Sequence, residues 1–175
     1  MKYPFLSFWT GLLLTLSLHS QNLTTEEWKR GDTLCREKKW DEAVAHAKNL
    51  ISKYPQNSFG FWLLSQAYGN LAQTDPNLWI PAAEAAVKAG DRETDKSANY
   101  SHAIWCYYNA KSWSSLTPLA RPVLENGRKT TGDNNYALSL LYLVTAFQEQ
   151  GKSVLARKLL AEAHQIFKDA PQVLF

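Results

Sequence analysis

The chain is 175 residues long, 45% apolar, 13% aromatic and 20% charged, with enough apolar material for a packed core and too much for a disordered tail. At about 150 residues per domain this is one domain, long enough to bury about two-thirds of its unfolded surface without staples. The formal charge of +3 comes from 19 basic and 16 acidic residues with no run of five like charges, which speaks against a nucleic-acid arm or a polybasic membrane patch, and two cysteines alone make neither a disulfide framework nor a structural zinc site.

Residues 1–20 read as a secretory signal peptide. Lys2 supplies the positive n-region, an uncharged run from Phe5 to Leu18 passes through Leu12, Leu13 and Leu14, and the small Ser20 offers a cleavage site. The run is shorter than the roughly 20 residues a membrane-spanning helix needs. Export to the periplasm or the medium is therefore expected, with membrane contact only through an uncleaved signal segment. No cysteine near Ser20 supports a lipid attachment, and cleavage would leave residues 21–175 as the folded domain.

From there helical periodicity dominates. Thr24 or Thr25 opens a first helix, Lys38-Lys39 marks a turn, and Trp40-Asp41-Glu42-Ala43 opens a second helix running to Tyr54-Pro55. A further pair begins near Ser58, where Asp75-Pro76-Asn77 lengthens the turn before a helix around Pro81 to Ala89. Another begins near Ser97, with Ser112-Trp113 echoing Lys39-Trp40, and Pro118 and Pro122 fall inside its second helix, where Pro122 is expected to kink or shorten it. In the last pair the apolar residues recur at 136, 140, 143, 144 and 147 and again at 156, 159, 160, 163 and 167, two amphipathic stripes separated by Gln150-Gly151-Lys152. Asp133 or Asn134 can cap the first of these helices and Ser153 the second, with Gly151 at the left-handed C′ position between them.

Helix pairs starting at 24, 58, 97 and 137 point to an internal repeat. Residues 24–57 resemble a tetratricopeptide repeat: Gly31 is the small residue of the first helix, Trp40 the aromatic opening the second, Ala43 the helix-packing alanine and Pro55 the terminating proline. Leu34 and Glu27 depart from the usual tyrosine and tryptophan. The later units, near 58–96, 97–136 and 137–171, carry Tyr68, Tyr107 and Phe147 at the aromatic position and Ala156 at the alanine position. The resemblance implies an all-α, right-handed α-solenoid of about four hairpins, because a single pair cannot bury its own apolar face whereas stacked pairs can.

It also implies that the first helix of each pair lines a concave face. The family's groove positions fall on Thr25, Trp28, Asp32, Cys35 and Arg36 in the first unit and on Phe59, Trp62, Gln66, Gly69 and Asn70 in the second. In the third they fall on Ala98, Ser101, Trp105, Tyr108 and Asn109, and in the fourth on Leu138, Leu141, Thr145, Gln148 and Glu149. Trp28, Asp32, Arg36, Phe59, Trp62, Gln66, Trp105, Tyr108 and Asn109 are the candidate partner-binding residues, since Trp and Tyr clusters offer large contact area at small conformational entropy. The competing reading packs Trp28, Trp62 and Trp105 between adjacent pairs. Trp28 and Asp32 also occupy the first two positions of the family's Lys/Asn carboxylate clamp, which disfavours a terminal carboxylate as ligand.

No metal or cofactor is implied: His46, His102 and His164 fall in different helix pairs, and Cys35 and Cys106 stand a whole repeat apart. Asp41-Glu42 sits at a helix start, where negative charge complements the dipole, and no phosphate loop or nucleophile elbow is present. The expected function is non-enzymatic binding of a protein or peptide in an aromatic groove. The alternative is a structural subunit of an envelope or extracellular assembly, docking through its convex or end faces.

Overall fold

The computed structural model describes residues 23–169, so the expected signal segment at 1–20 lies outside the described residues, as do the side chains of Asp133 and Asn134. The described residues form helices and no strand: α1 Thr25–Arg36, α2 Trp40–Lys53, α3 Ser58–Leu71, α4 Trp79–Gly90, α5 Ser97–Asn109, α6 Trp113–Leu116, α7 Ala120–Glu149 and α8 Ser153–Asp169. One-turn 3-10 helices at Pro76–Leu78 and Thr117–Leu119 lead into α4 and α7.

Each long helix packs chiefly on the next: α2 on α3, α3 on α4, α4 on α5, then α5 on α7 across the short α6, and α7 on α8. One buried cluster joins Leu34, Ala43, Ala47, Leu50, Tyr54, Leu63 and Ala67 across α1 to α3. A larger one runs from Ala72 to Ile166 through α4, α5, α7 and α8. Small residues set the close approaches. Ala43 is fully buried, and a Cβ added at Gly31 would stand 3.0 Å from both Leu63 Cδ2 and the Phe59 ring.

The helix ends follow from local chemistry. Thr24 and Glu27 form a capping box, the Thr24 hydroxyl accepting from the Glu27 amide at 3.2 Å while Glu27 Oε2 accepts from the Thr24 amide at 3.1 Å. Glu27 also accepts from Lys53 Nζ at 2.9 Å and the Tyr54 hydroxyl at 2.7 Å, which ties the start of α1 to the end of α2 and holds its carboxyl at about 2. Three joints share one geometry. After α1 the Lys39 amide bonds to the Leu34 carbonyl and Lys38 to Cys35; after α5 Ser112 bonds to Tyr107 and Lys111 to Tyr108; after α7 Lys152 bonds to Phe147 and Gly151 to Gln148. These are Schellman motifs, whose C′ residue must be left-handed, and φ is 55° at Lys38, 54° at Lys111 and 72° at Gly151.

The third hairpin differs from the sequence expectation. Its second helix is interrupted after Leu116 by a 3-10 turn through Pro118 and resumes as the first part of α7, up to the break at Gly132. Pro122 stands third in α7, within the first turn, where backbone N–H groups have no intrahelical acceptor, so no helical bond is lost there. Pro118 makes the break that was expected at Pro122. Gly132, with φ 76° and ψ 165°, divides α7 into two helices, the second of which begins just after it, where the last pair was expected to open, and runs to Glu149. In α8 Ser153 is the first helical residue, and the Lys152 carbonyl accepts the first helical bond, from Ala156. The buried stripe is Ala156, Leu159, Ala163 and Ile166, while Leu160, placed on that stripe by periodicity, is 45% exposed. Among the described residues α8 packs chiefly on α7, and one main neighbour covers a narrow face.

Candidate functional site

Residues Phe59, Trp62, Gln66 and Asn70 of α3 are spaced by three or four, so they form one stripe about 16 Å long at 1.5 Å per residue. At its start the Trp62 ring stacks on Phe59 with centroids 5.5 Å apart, and the Trp28 ring of α1 lies 6.0 Å from Phe59. Trp28 is 47% exposed, and Phe59 and Trp62 are half-buried against the first core cluster. One turn along α1 from Trp28, Asp32 pairs with Arg36 at 2.9 Å on the surface.

At the other end of the stripe Gln66 and Asn70 border a cavity of 440 Å³. Its remaining wall comes from α5, with Ala98, Ser101, His102 and Trp105, and from α7, with Thr131, Asn135, Leu138, Ser139 and Tyr142. None of these side chains is an acid, a lysine or an arginine. Trp105 is held by the edge of Trp79 at 4.9 Å and by His102 at 5.3 Å, and Tyr142 by Tyr108 at 4.5 Å. The amide nitrogens of Asn70 and Asn135 donate back to the carbonyls of Gln66 and Thr131 at 2.8 and 3.2 Å. The Ser101 hydroxyl is buried and finds no hydrogen-bond partner among the described residues.

Two groups that could suggest reactivity are electrically silent. His102 Nε2 lies 3.8 Å from Cys106 Sγ, one turn along α5. Burial pushes the His102 imidazole down to about 4, against a hydrogen bond to the Ser65 backbone, and burial pushes the Cys106 thiol up to about 12. Both are neutral at pH 7, so the pair is not a thiolate–imidazolium. Among the described residues no three His, Cys, Asp or Glu side chains are placed to hold a metal, and no helix is long and apolar enough to cross a membrane.

The structure thus brings Trp28, Phe59 and Trp62 together, joins Gln66 to Trp105 around the cavity, and places Tyr108 against Tyr142 and Trp113 beside it. Asn109 stands apart from the cavity wall, exposed, with its amide bonded to the Trp105 carbonyl at 2.8 Å. Sequence reasoning passed over His102, Thr131, Asn135, Ser139 and Tyr142. Thr131 and Asn135 stand on either side of the Gly132 break, with Ser139 one turn beyond Asn135, so no single helical period marked the three together. No protein-family model matches the chain, and no curated protein matches it either.

Proposed function

We propose that this is an exported, non-enzymatic helical-repeat protein of tetratricopeptide type, a right-handed solenoid of four hairpins, which binds an extended protein or peptide segment on its concave face. The observation that carries the binding reading is the continuity of one surface: the partly exposed rings of Trp28, Phe59 and Trp62 lead along a single stripe of α3 into the cavity at Gln66 and Trp105. Aromatic side chains already fixed by neighbouring rings lose little entropy on contact, and that makes them effective anchors. Three identical Schellman joints, at Lys38, Lys111 and Gly151, support the repeat reading because each ends the first helix of a proposed pair.

Selection of displayed 12-residue peptides on the protein tests the proposal. Trp28→Ala and Trp62→Ala should each weaken a selected peptide by about 2 kcal/mol, roughly thirtyfold, while the thermal midpoint holds. Unchanged affinity in both variants would move the site elsewhere. A second reading, a structural subunit docking through an end, is favoured by one observation: α8 exposes Val154 at 80%, Leu155 at 40% and Leu160 at 45%. In that case substitutions on α8, and not those at Trp28 or Trp62, would abolish partner binding.

A further inference from the structure

The cavity at the end of the α3 stripe has a chemistry of its own. Its walls present rings, hydroxyls and carboxamides, and no side chain of fixed charge among the eleven that line it. An ionised ligand group entering it would give up part of its water without meeting a counter-ion, which disfavours it against a neutral polar group. His102 supplies no compensating positive charge, since burial keeps it neutral.

The hydrogen-bonding capacity that is left over is specific. Ser101 has a buried hydroxyl with no partner among the described residues. Asn70 and Asn135 have each spent one amide N–H on the helix backbone, which leaves each a second N–H and an amide oxygen. A wall of carboxamides and hydroxyls that both donates and accepts, with no fixed charge, matches a carboxamide, which accepts through one oxygen and donates through two N–H groups. An unpaired buried hydroxyl is costly, so a rotation of the Ser101 side chain that brings its hydroxyl to a ligand group in the cavity adds affinity, and an apolar group in that place forgoes the gain.

We infer that the cavity walled by Ser101, Trp105, Asn135 and Tyr142 is a side-chain pocket that takes an asparagine or glutamine of the bound peptide and rejects aspartate, glutamate, lysine and arginine. This rests on the peptide-binding reading and adds a specificity to it. The volume of 440 Å³ exceeds one side chain, so the adjoining backbone of the peptide enters with it.

The test uses displayed 12-residue peptides selected on the full chain, followed by synthetic versions of a recovered peptide. One position should be enriched in Asn or Gln and depleted of all four charged residues. Changing that residue from Gln to Glu in the synthetic peptide, which keeps shape and adds charge, should weaken binding tenfold or more, a ratio of about 1.4 kcal/mol. Ser101→Leu should erase the preference at that position while the preferences set by the Trp28 and Trp62 end persist. Asn135→Ala, a change at an exposed helical residue, should reduce the same preference and serves if Ser101→Leu fails to fold. Recovered peptides with a charged residue at that position, or an Asn/Gln preference unchanged in both variants, would overturn the pocket and leave the peptide-binding reading intact. Recovery of no peptide would overturn both. Binding of maltotriose that is lost in Ser101→Leu, with no peptide recovered, would assign the cavity to sugar instead.

Discussion

Lys38 and Lys111 hold left-handed backbone conformations that a lysine adopts only at a cost, of about 1–2 kcal/mol for a residue carrying a Cβ. Gly151, at the matching joint, is free of that cost. Lys38→Gly and Lys111→Gly should therefore each raise stability by about 0.5–1 kcal/mol even after the extra entropy of glycine in the unfolded chain, and urea midpoints that fall would contradict the joint geometry. The turns before Trp40 and Trp113 were legible from the repeated helix openings, and Gly151 from its glycine. The left-handed backbone of Lys38 and Lys111 was not legible, since lysine carries no such signal. His102 gives a second residue-scale test. Its folded value of about 4 lies below the 6.5 of a free imidazole, so between those values the unfolded chain binds the extra proton. Stability should drop by up to about 3 kcal/mol as pH falls from about 6.5 to about 4, and His102→Gln should remove that slope when midpoints are followed against pH. Glu27 acts in a lower window: its carboxyl is held at about 2, so what it contributes is present above pH 4.5 and disappears as pH falls from there towards 2.

At the scale of elements, contacts between helices decide what substitutions do, and they reverse a propensity rule at Gly90. Gly→Ala within a helix ordinarily stabilises by about 1 kcal/mol, yet a Cβ at Gly90 would stand 2.7 Å from two carbons of the Tyr100 ring, which is buried and anchored by its hydroxyl donating to Asp91 Oδ1 at 2.7 Å. Gly90→Ala should destabilise by about 1–3 kcal/mol, and a stabilised variant would show that α4 and α5 stand further apart. Ala43→Trp should also cost on the order of 1–3 kcal/mol or more, because Ala43 has no exposed surface and lies in the cluster that joins α1, α2 and α3. The amphipathic stripe of α7 was legible: Tyr136, Leu140, Leu143, Val144 and Phe147 are all buried. What precedes it was not. Gly132 and the proline pair offer several places for a break, and the choice among them turns on whether a proline falls in a first turn, which depends on where the helix starts.

Across the whole molecule, the all-helical class was readable from period alone, whereas the differing exposure of Trp28, Trp62 and Trp105 depends on packing between helices. Trp28 is half in solvent, whereas Trp105 packs on the larger core cluster with Trp79 against its ring. Trp28→Ala should change stability by no more than about 0.5 kcal/mol, and Trp105→Ala should cost about 3–5 kcal/mol, as thermal melts will show. Loss of about 3–5 kcal/mol in all three tryptophan variants would turn the aromatic surface into core and leave α8 as the docking candidate. The most direct measurement is nuclear magnetic resonance of the tryptophan indole N–H groups during titration with a selected peptide. If the peptide lies along the α3 stripe, the Trp28, Trp62 and Trp105 signals should shift with a common dissociation constant while those of Trp40 and Trp113 stay in place. Shifts confined to Trp40 and Trp113, with Trp28 and Trp62 unmoved at saturation, would contradict the proposed binding face.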